Sequence, residues 1–331
     1  ENMPLYNPVS VSGYHIREAG STAAQELAFT LNNGFAYIEE CLKRGLKIDD
    51  FAHRLSFFFN AHMDFFEEIA KYRAARRIWA NRLKDKYGAK NESSLKLKFH
   101  TQTAGCSLTA QQPENNIVRT AFEAMSAVLG GTNSLHTNSL DETLALPSEK
   151  AAKIALRTQQ ILAFETGVPN VADPLGGSWY IEELTDKLEK QAIRYFEEIQ
   201  EMGGTVQAIE DGYFQKKIAE SASIYQESVD SKERIIVGVN DFVEEDEELD
   251  IEILKISRDA QDTQEDKIKT LRKSRNEKIL QKKMKKLSDA CKKDLNLVPF
   301  LIEVAEQGGT VGEIVEVMKK VYGEWEESFG I

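Results

Sequence analysis

The sequence predicts an α/β fold of parallel strand–helix units, four of the eight of a (β/α)8 TIM-type barrel, followed by a C-terminal helical segment. Three observations lead there. Four strand-like runs are each followed by a polar turn and a helix-periodic stretch, and the runs end at His15, Asn60, Gln102 and Asn138, spaced by 45, 42 and 36 residues. In every run one side-chain parity is largely apolar and the other largely polar. The chain of 331 residues, 41% apolar and 29% charged, is long enough to bury a large core.

The first strand covers 9–15, and its helix carries Leu27, Leu31, Ile38 and Leu42 before Gly45 stops it. The second strand, 55–60, precedes a helix with Phe66, Ile69, Arg73, Arg76 and Ala80 three or four residues apart. The third, 95–102, leads to a helix over 115–129, and the fourth, 134–138, to a helix over 147–166. Asp173-Pro174-Leu175-Gly176-Gly177-Ser178 then marks a turn-rich boundary. Beyond it the pattern predicts a helix over 182–201 and, after Gly203-Gly204, another reaching Ser223. An isolated strand over 234–239 and an acidic linker over 244–248 come next. One charged helix over 262–293 and helices over 297–306 and 311–326 complete the tail. Three regions result: 1–175, a half-barrel; 176–242, helices and one strand; and 243–331, a charged linker and helical tail.

The strand parities bear on which α/β architecture fits. The apolar set is Val9, Val11, Leu55, Phe57, Phe59, Leu95, Leu97, Phe99 and Leu135. Opposite stand Ser10, Ser12, Arg54, Ser56, Asn60, Lys96, Lys98, His100, Gln102, Ser134, His136 and Asn138, with Phe58 the exception. A doubly wound sheet is apolar on both faces, and an ordinary barrel fills its interior with aliphatic side chains. A polar inner face must meet water or ligand, since each unsatisfied buried polar group costs about 1–3 kcal/mol. The pattern favours a barrel with a long polar ligand on its axis. A half-exposed antiparallel sheet would share the alternation, but the intervening helices argue against it.

The 54 acidic and 42 basic residues leave a net charge of −12, which argues against coating nucleic acid. The longest apolar runs are too short to cross a bilayer, and nothing after Glu1 resembles a signal peptide. Cys41, Cys106 and Cys291 lie far apart in no metal-ligand spacing. A reduced, cytoplasmic setting without a membrane partner is the expectation.

Barrel active sites lie at the carboxyl ends of the strands. There the sequence places Tyr14-His15, Asn60 with His62, His100 with Gln102, and His136 with Asn138. Four of five histidines at corresponding ends point to convergence on one mouth. Metal binding is the competing use, but no His-x-x-x-His or cysteine pair supports it. Arg54, Lys96 and Lys98 share the polar parity and suit an extended anionic ligand.

Ser12-Gly13-Tyr14-His15 with Glu18-Ala19-Gly20, Arg54-Leu55-Ser56-Phe57-Phe58, Arg73-Ala74-Ala75-Arg76 and His100-Thr101-Gln102-Thr103 form a familiar series. It continues through Ser107-Leu108-Thr109, Asn115-Asn116-Ile117-Val118-Arg119-Thr120 and the run from Gly130-Gly131-Thr132-Asn133 to Ser134-Leu135-His136-Thr137-Asn138-Ser139. Ala172-Asp173-Pro174 and Val237-Gly238-Val239-Asn240 extend it. The series resembles the adenosylcobalamin-dependent acyl-CoA mutases, especially the large (alpha) subunit of the methylmalonyl-CoA mutase family, over essentially the whole chain.

The resemblance implies that 1–175 is the later, C-terminal half of the barrel. It also implies a reversible radical rearrangement of a short acyl-CoA, most simply (R)-methylmalonyl-CoA to succinyl-CoA. Alternatives are an isobutyryl-CoA or 2-hydroxyisobutyryl-CoA mutase subunit, or a non-catalytic assembly subunit of mutase descent. By position it implies catalytic roles for His15, on the thioester carbonyl, and Tyr14 beside it. Arg54, Leu55, Ser56, Gln102 and Ser134 match CoA or substrate contacts, and Gln102, Cys106, Asn138 and Glu142 match positions around the cofactor. Many family members have Trp at Cys106 and Lys at Leu5. No Asp-x-His-x-x-Gly motif for the cobalt ligand occurs. The implied partners are therefore a chain supplying the earlier half-barrel and a separate cobalamin-binding subunit.

Overall fold

The structure, a computed structural model, describes residues 6–244, 251, 253–255 and 257–326. Leu5 and most of the acidic linker expected over 244–248 lie outside the described residues. The chain divides into two compact units after Leu254.

The first unit opens with β1 (Ser10–Ser12), α1 (Tyr14–Glu18), α2 (Ala23–Lys43) and α3 (Ile48–Phe51). Next come β2 (Ser56–Ala61), α4 (Phe65–Asp85), α5 (Glu92–Leu95), β3 (Phe99–Thr103) and α6 (Asn115–Leu129). β4 (Ser134–His136), α7 (Glu149–Phe164), α8 (Trp179–Glu201), α9 (Thr205–Glu210) and α10 (Tyr213–Asp230) follow. The four strands form one parallel sheet in the order β1-β2-β3-β4. This is an α/β architecture in which each successive strand adds beside the last, an order consistent with a partial barrel.

The register carries the predicted parity through all four strands. Ser12 pairs with Phe58, Phe58 with His100, and His100 with Ser134, so one row of side chains crosses the sheet. These residues and Ser56, Gln102 and His136 keep some exposure, whereas Val11, Phe57, Phe59, Phe99 and Thr101 are buried. Helices cover the apolar face. The Phe57 ring meets Trp79 of α4 edge-on at 4.9 Å, and Phe59 meets Phe99 at 5.7 Å. Leu27, Leu31 and Ile38 of α2 are fully buried in the same core. Arg73 of α4 clamps α8 through Glu182 at 2.7 Å and the preceding turn through Asp173 at 3.0 Å.

Several boundaries differ from expectation, each for a local reason. β1 ends at Ser12 rather than at 15, because the chain turns into α1 at Gly13. A Cβ at Gly13 would lie 1.9 Å from Thr30 Oγ1, so only glycine lets the strand end lie this close to α2. β3 starts at Phe99 rather than at 95. Asn91 accepts the Ser93 amide at 3.0 Å and starts a helical turn over Glu92–Leu95, which leaves Lys96 and Lys98 outside the strand. The isolated strand expected over 234–239 is instead a turn with one bridge, Val237 to Asp241. There Asn240 satisfies the backbone of Val229, Arg234 and Ile236.

The second unit contains α11 (Arg258–Ser274), α12 (Glu277–Lys292), α13 (Val298–Glu306) and α14 (Val311–Tyr322). The single charged helix expected over 262–293 is two. Asn276 caps a new start, accepting the Ile279 amide at 3.2 Å, while Arg275 turns to Glu313 at 2.6 Å. Leu280, Met284, Leu287, Cys291 and Val304 make its core. No described helix is long and apolar enough to cross a membrane.

Candidate active site

Beyond the carboxyl ends of β1, β3 and β4, three polar side chains converge. Gln102 donates from Nε2 to the Tyr14 hydroxyl at 2.9 Å and to Asn138 Oδ1 at 2.8 Å. Asn138 is held in turn, its Nδ2 donating to the Thr103 carbonyl at 3.0 Å and its amide to Thr103 Oγ1 at 2.9 Å. Tyr14 stacks on Phe58 with centroids 5.0 Å apart. Phe58, the apolar exception on the polar face, thus supports the Tyr14 ring. Burial, then the Glu18 charge, pushes the Tyr14 hydroxyl well above its ordinary pKa, so it stays protonated and able to donate.

His15 is exposed beside this trio, its Nδ1 3.3 Å from Ser12 Oγ. Partial burial lowers its pKa, which favours the neutral ring. Glu142 follows β4, its carboxyl raised by burial and then by the Glu18 and Asp141 charges. Cys106 lies in the loop after β3, where burial and Glu18 push its thiol up to about 12. Such a thiol is a poor nucleophile.

The other candidates lie towards the amino-terminal ends of the strands, and all but Leu55 have the polar parity. Ser134 Oγ is 2.7 Å from His100 Nδ1, and Ser56 donates to the Val9 carbonyl at 3.3 Å. Arg54 precedes β2 with its Nε buried and unpartnered. Lys98 reaches the His53 carbonyl at 3.1 Å. Leu55 is buried in the apolar core. The polar face thus runs from Arg54 and Ser134 to Tyr14, Gln102 and Asn138.

Two residues counted at the mouth stand at or just past the carboxyl end of β2 but are buried rather than open. Asn60 is fully buried, and His62 is 8% exposed with Nδ1 accepting the Met63 amide at 2.8 Å. Conversely, Glu18 organises the mouth more than the sequence suggested. It accepts the Gly105 and Cys106 amides at 3.0 and 2.9 Å and the Asn60 side chain at 2.6 Å. Behind it lies a charged cluster wholly out of water. Lys71 donates to Glu26 at 2.6 Å, to the Asn60 carbonyl at 2.8 Å and to Glu68. The only sequence signal for Glu26 was a carboxylate among the apolar positions of α2.

Among the described residues no group of three His, Cys, Asp or Glu is arranged to hold a metal ion. The polar groups at the mouth are the Gln102 and Asn138 amides, the Tyr14 phenol, the His15 imidazole and the Glu18 and Glu142 carboxyls, which bind by hydrogen bonds.

Residues 1–324 match the family model described as methylmalonyl-CoA mutase. The chain is 46% identical over 329 residues to the 2-hydroxyisobutanoyl-CoA mutase large subunit of Aquincola tertiaricarbonis, covering 99% of this chain and 58% of that protein. It is 47% identical over 327 residues to a methylmalonyl-CoA mutase of Rhizobium meliloti, covering 98% and 46%. Against the mitochondrial methylmalonyl-CoA mutase of Homo sapiens it is 45% identical over 326 residues, covering 98% and 43%. The chain spans about half the length of the curated relatives it matches.

Proposed function

The chain belongs to the methylmalonyl-CoA mutase family, and we propose that it forms part of the catalytic subunit of an acyl-CoA mutase, an isomerase that rearranges the carbon skeleton of a short branched acyl-CoA. The Tyr14–Gln102–Asn138 trio, set at the end of an open polar strand face, is the observation that carries the reading. A scaffold has no physical need for a hydrogen-bonded polar cluster kept on an accessible face, whereas a thioester with a long polar carrier does.

In this reading the four strands form one wall of a (β/α)8 barrel, closed by polypeptide outside these residues. Arg54, Ser56 and Ser134 face the CoA arm. With Nδ1 of His15 accepting from the Ser12 hydroxyl, Nε2 carries the proton and donates to the thioester carbonyl. That contact strengthens as negative charge grows on the oxygen, so it lowers the barrier rather than only tightening binding. Tyr14 walls the reacting carbons and excludes water, its ring fixed by Phe58.

Adenosylcobalamin, when bound, supplies the radical that begins the rearrangement. The mouth fits such a group. The Gly105 backbone passes so close to this cluster that a Cβ there would lie 3.0 Å from Glu18 Oε2, 3.3 Å from Asn138 Nδ2 and 3.6 Å from the Tyr14 hydroxyl, so the loop sends no side chain of its own into the space beside Tyr14 and Gln102. Gln102, Asn138 and Glu142 would hold the amide- and hydroxyl-bearing edge of the cofactor, with Cys106 beside it. The cobalt ligand comes from elsewhere, and a partner or further domain supplies it.

His15→Ala in the assembled enzyme tests the reading. Turnover should fall by roughly 10²–10⁴-fold while CoA binding persists. Unchanged turnover removes His15 from the reaction.

A further inference from the structure

A second concavity, of about 330 Å³, is built by the turn after β2, the first half of α6, Tyr225 of α10 and the segment 234–237. None of Tyr14, His15, Gln102 or Asn138 lines it. Its size is at the lower end of small-molecule sites, which run from roughly 300 to 1,000 Å³. Its walls are apolar and open to solvent: Val118, Phe122, Ile235 and Val237 are 45% to 55% exposed.

The polar groups of this pocket share one sign. No carboxylate lines it, in a chain with 54 acidic residues. Arg119 directs its N–H groups to neutral acceptors, Thr109 Oγ1, Asn116 Oδ1 and the Val237 carbonyl, all at 2.8 to 2.9 Å. None of these partners carries a charge, and among the described residues no carboxylate forms an ion pair with Arg119. Arg234 makes no ion pair among the described residues and lies 5.0 Å from the Tyr225 ring centre. The His62 ring meets the same tyrosine at 6.4 Å. Because its Nδ1 accepts the Met63 amide, the His62 proton is on Nε2, which has no partner among the described residues. Burial, with Arg17, Lys71 and Arg234 nearby, takes the His62 pKa down to about 3, so the ring is a neutral donor.

We infer that this pocket binds a small organic anion, a single carboxylate on an apolar body, with the body against Phe122 and Ile235 and the carboxylate on the Tyr225 side between Arg234 and His62 Nε2. An apolar body fills the walls, and the carboxylate meets donors that no protein group occupies. A neutral apolar ligand would gain nothing from the guanidiniums of Arg119 and Arg234. Ser107, which lines the pocket, is two residues from Gly105, so the new site adjoins the loop that floors the mouth.

Calorimetric titration of the chain with phenylacetate and with phenylacetamide tests the inference. Phenylacetate should bind, and the amide at least about 10-fold more weakly. Arg234→Gln, which removes the charge, and Val118→Glu, which adds a repelling one, should each weaken phenylacetate about 10-fold or more. Both positions are exposed, so neither variant threatens the fold. Equal binding of acid and amide, undiminished binding in either variant, or no binding of phenylacetate up to millimolar concentration overturns it. No turnover is measured, so the result is independent of the mutase reading.

Discussion

The Glu26 carboxylate accepts the Asn60 backbone amide at 2.7 Å, taking the position on β2 where a longer β1 would pair. Even-numbered residues of β2 face β1: Ser56 N–H donates to Val9, and the Phe58 carbonyl accepts from Gly13. β1 stops there so that α1 can carry Tyr14 and His15. Asn60 is the next even residue, and its carbonyl accepts from Lys71 at 2.8 Å and Tyr72 at 2.5 Å. Buried side chains thus replace the end of a strand.

Lys71→Met should therefore be costly. It leaves the Glu26 and Glu68 carboxylates without their shared buried cation and takes one donor from the Asn60 carbonyl. Breaking a buried pair from one side costs about 3–5 kcal/mol. Denaturant unfolding should show a loss of that size, and a loss below about 1 kcal/mol would contradict the account.

Glu123 predicts a pH dependence. Burial raises its carboxyl well above the ordinary 4.5, the Glu68 and Glu18 charges add to this, and the Ser107 hydroxyl and Ala104 amide relieve it only in part. The folded protein thus holds a proton that the unfolded chain releases. The stability from this group is complete below about 4.5 and is lost as pH rises towards the folded value, at up to about 1.4 kcal/mol per pH unit. Glu123→Gln, neutral at all pH, should flatten the fall in stability above that point. Other raised carboxyls such as Glu26 are common to both proteins, so the difference reports Glu123. Parallel pH profiles would refute the assignment.

The strand parities were legible because Phe57 and Phe59 against Ser56, and Phe99 against His100 and Gln102, alternate at the strand period. That alternation also located the candidate face, with Gln102 and Asn138 on it. What the pattern could not carry was close approach between distant segments. Gly13 reads as an ordinary turn residue until Thr30 of α2 is placed against it. Nothing in the spacing of Glu68 and Lys71, three residues apart, marks them as buried, although a third partner 45 residues from Lys71 takes all of them out of water. Asn60 alternates correctly with Phe59, yet its side chain serves Glu18 rather than the open face. Capping by Asn91 and Asn276 set boundaries that apolar spacing alone misplaced, at 95 and within a single helix over 262–293.

Gly105→Ala probes the mouth without removing any functional group. The Gly105 amide donates to Glu18 Oε1 at 3.0 Å, and a methyl added there would press on Glu18 at 3.0 Å and Asn138 Nδ2 at 3.3 Å. Those neighbours must shift by a few tenths of an ångström, and Asn138 cannot do so without disturbing its bond from Gln102. The fold should tolerate this with a change in stability under about 1 kcal/mol, as the loop is partly exposed. Positioning of reacting groups is far less tolerant, since a displacement near 1 Å costs about 10²-fold in rate. The assembled enzyme should therefore lose roughly 10- to 100-fold in kcat with little change in KM for the acyl-CoA, because the proposed arrangement puts the CoA arm at the opposite end of the strands. A variant with wild-type kcat would mean that the chemistry takes place away from Tyr14, Gln102 and Asn138.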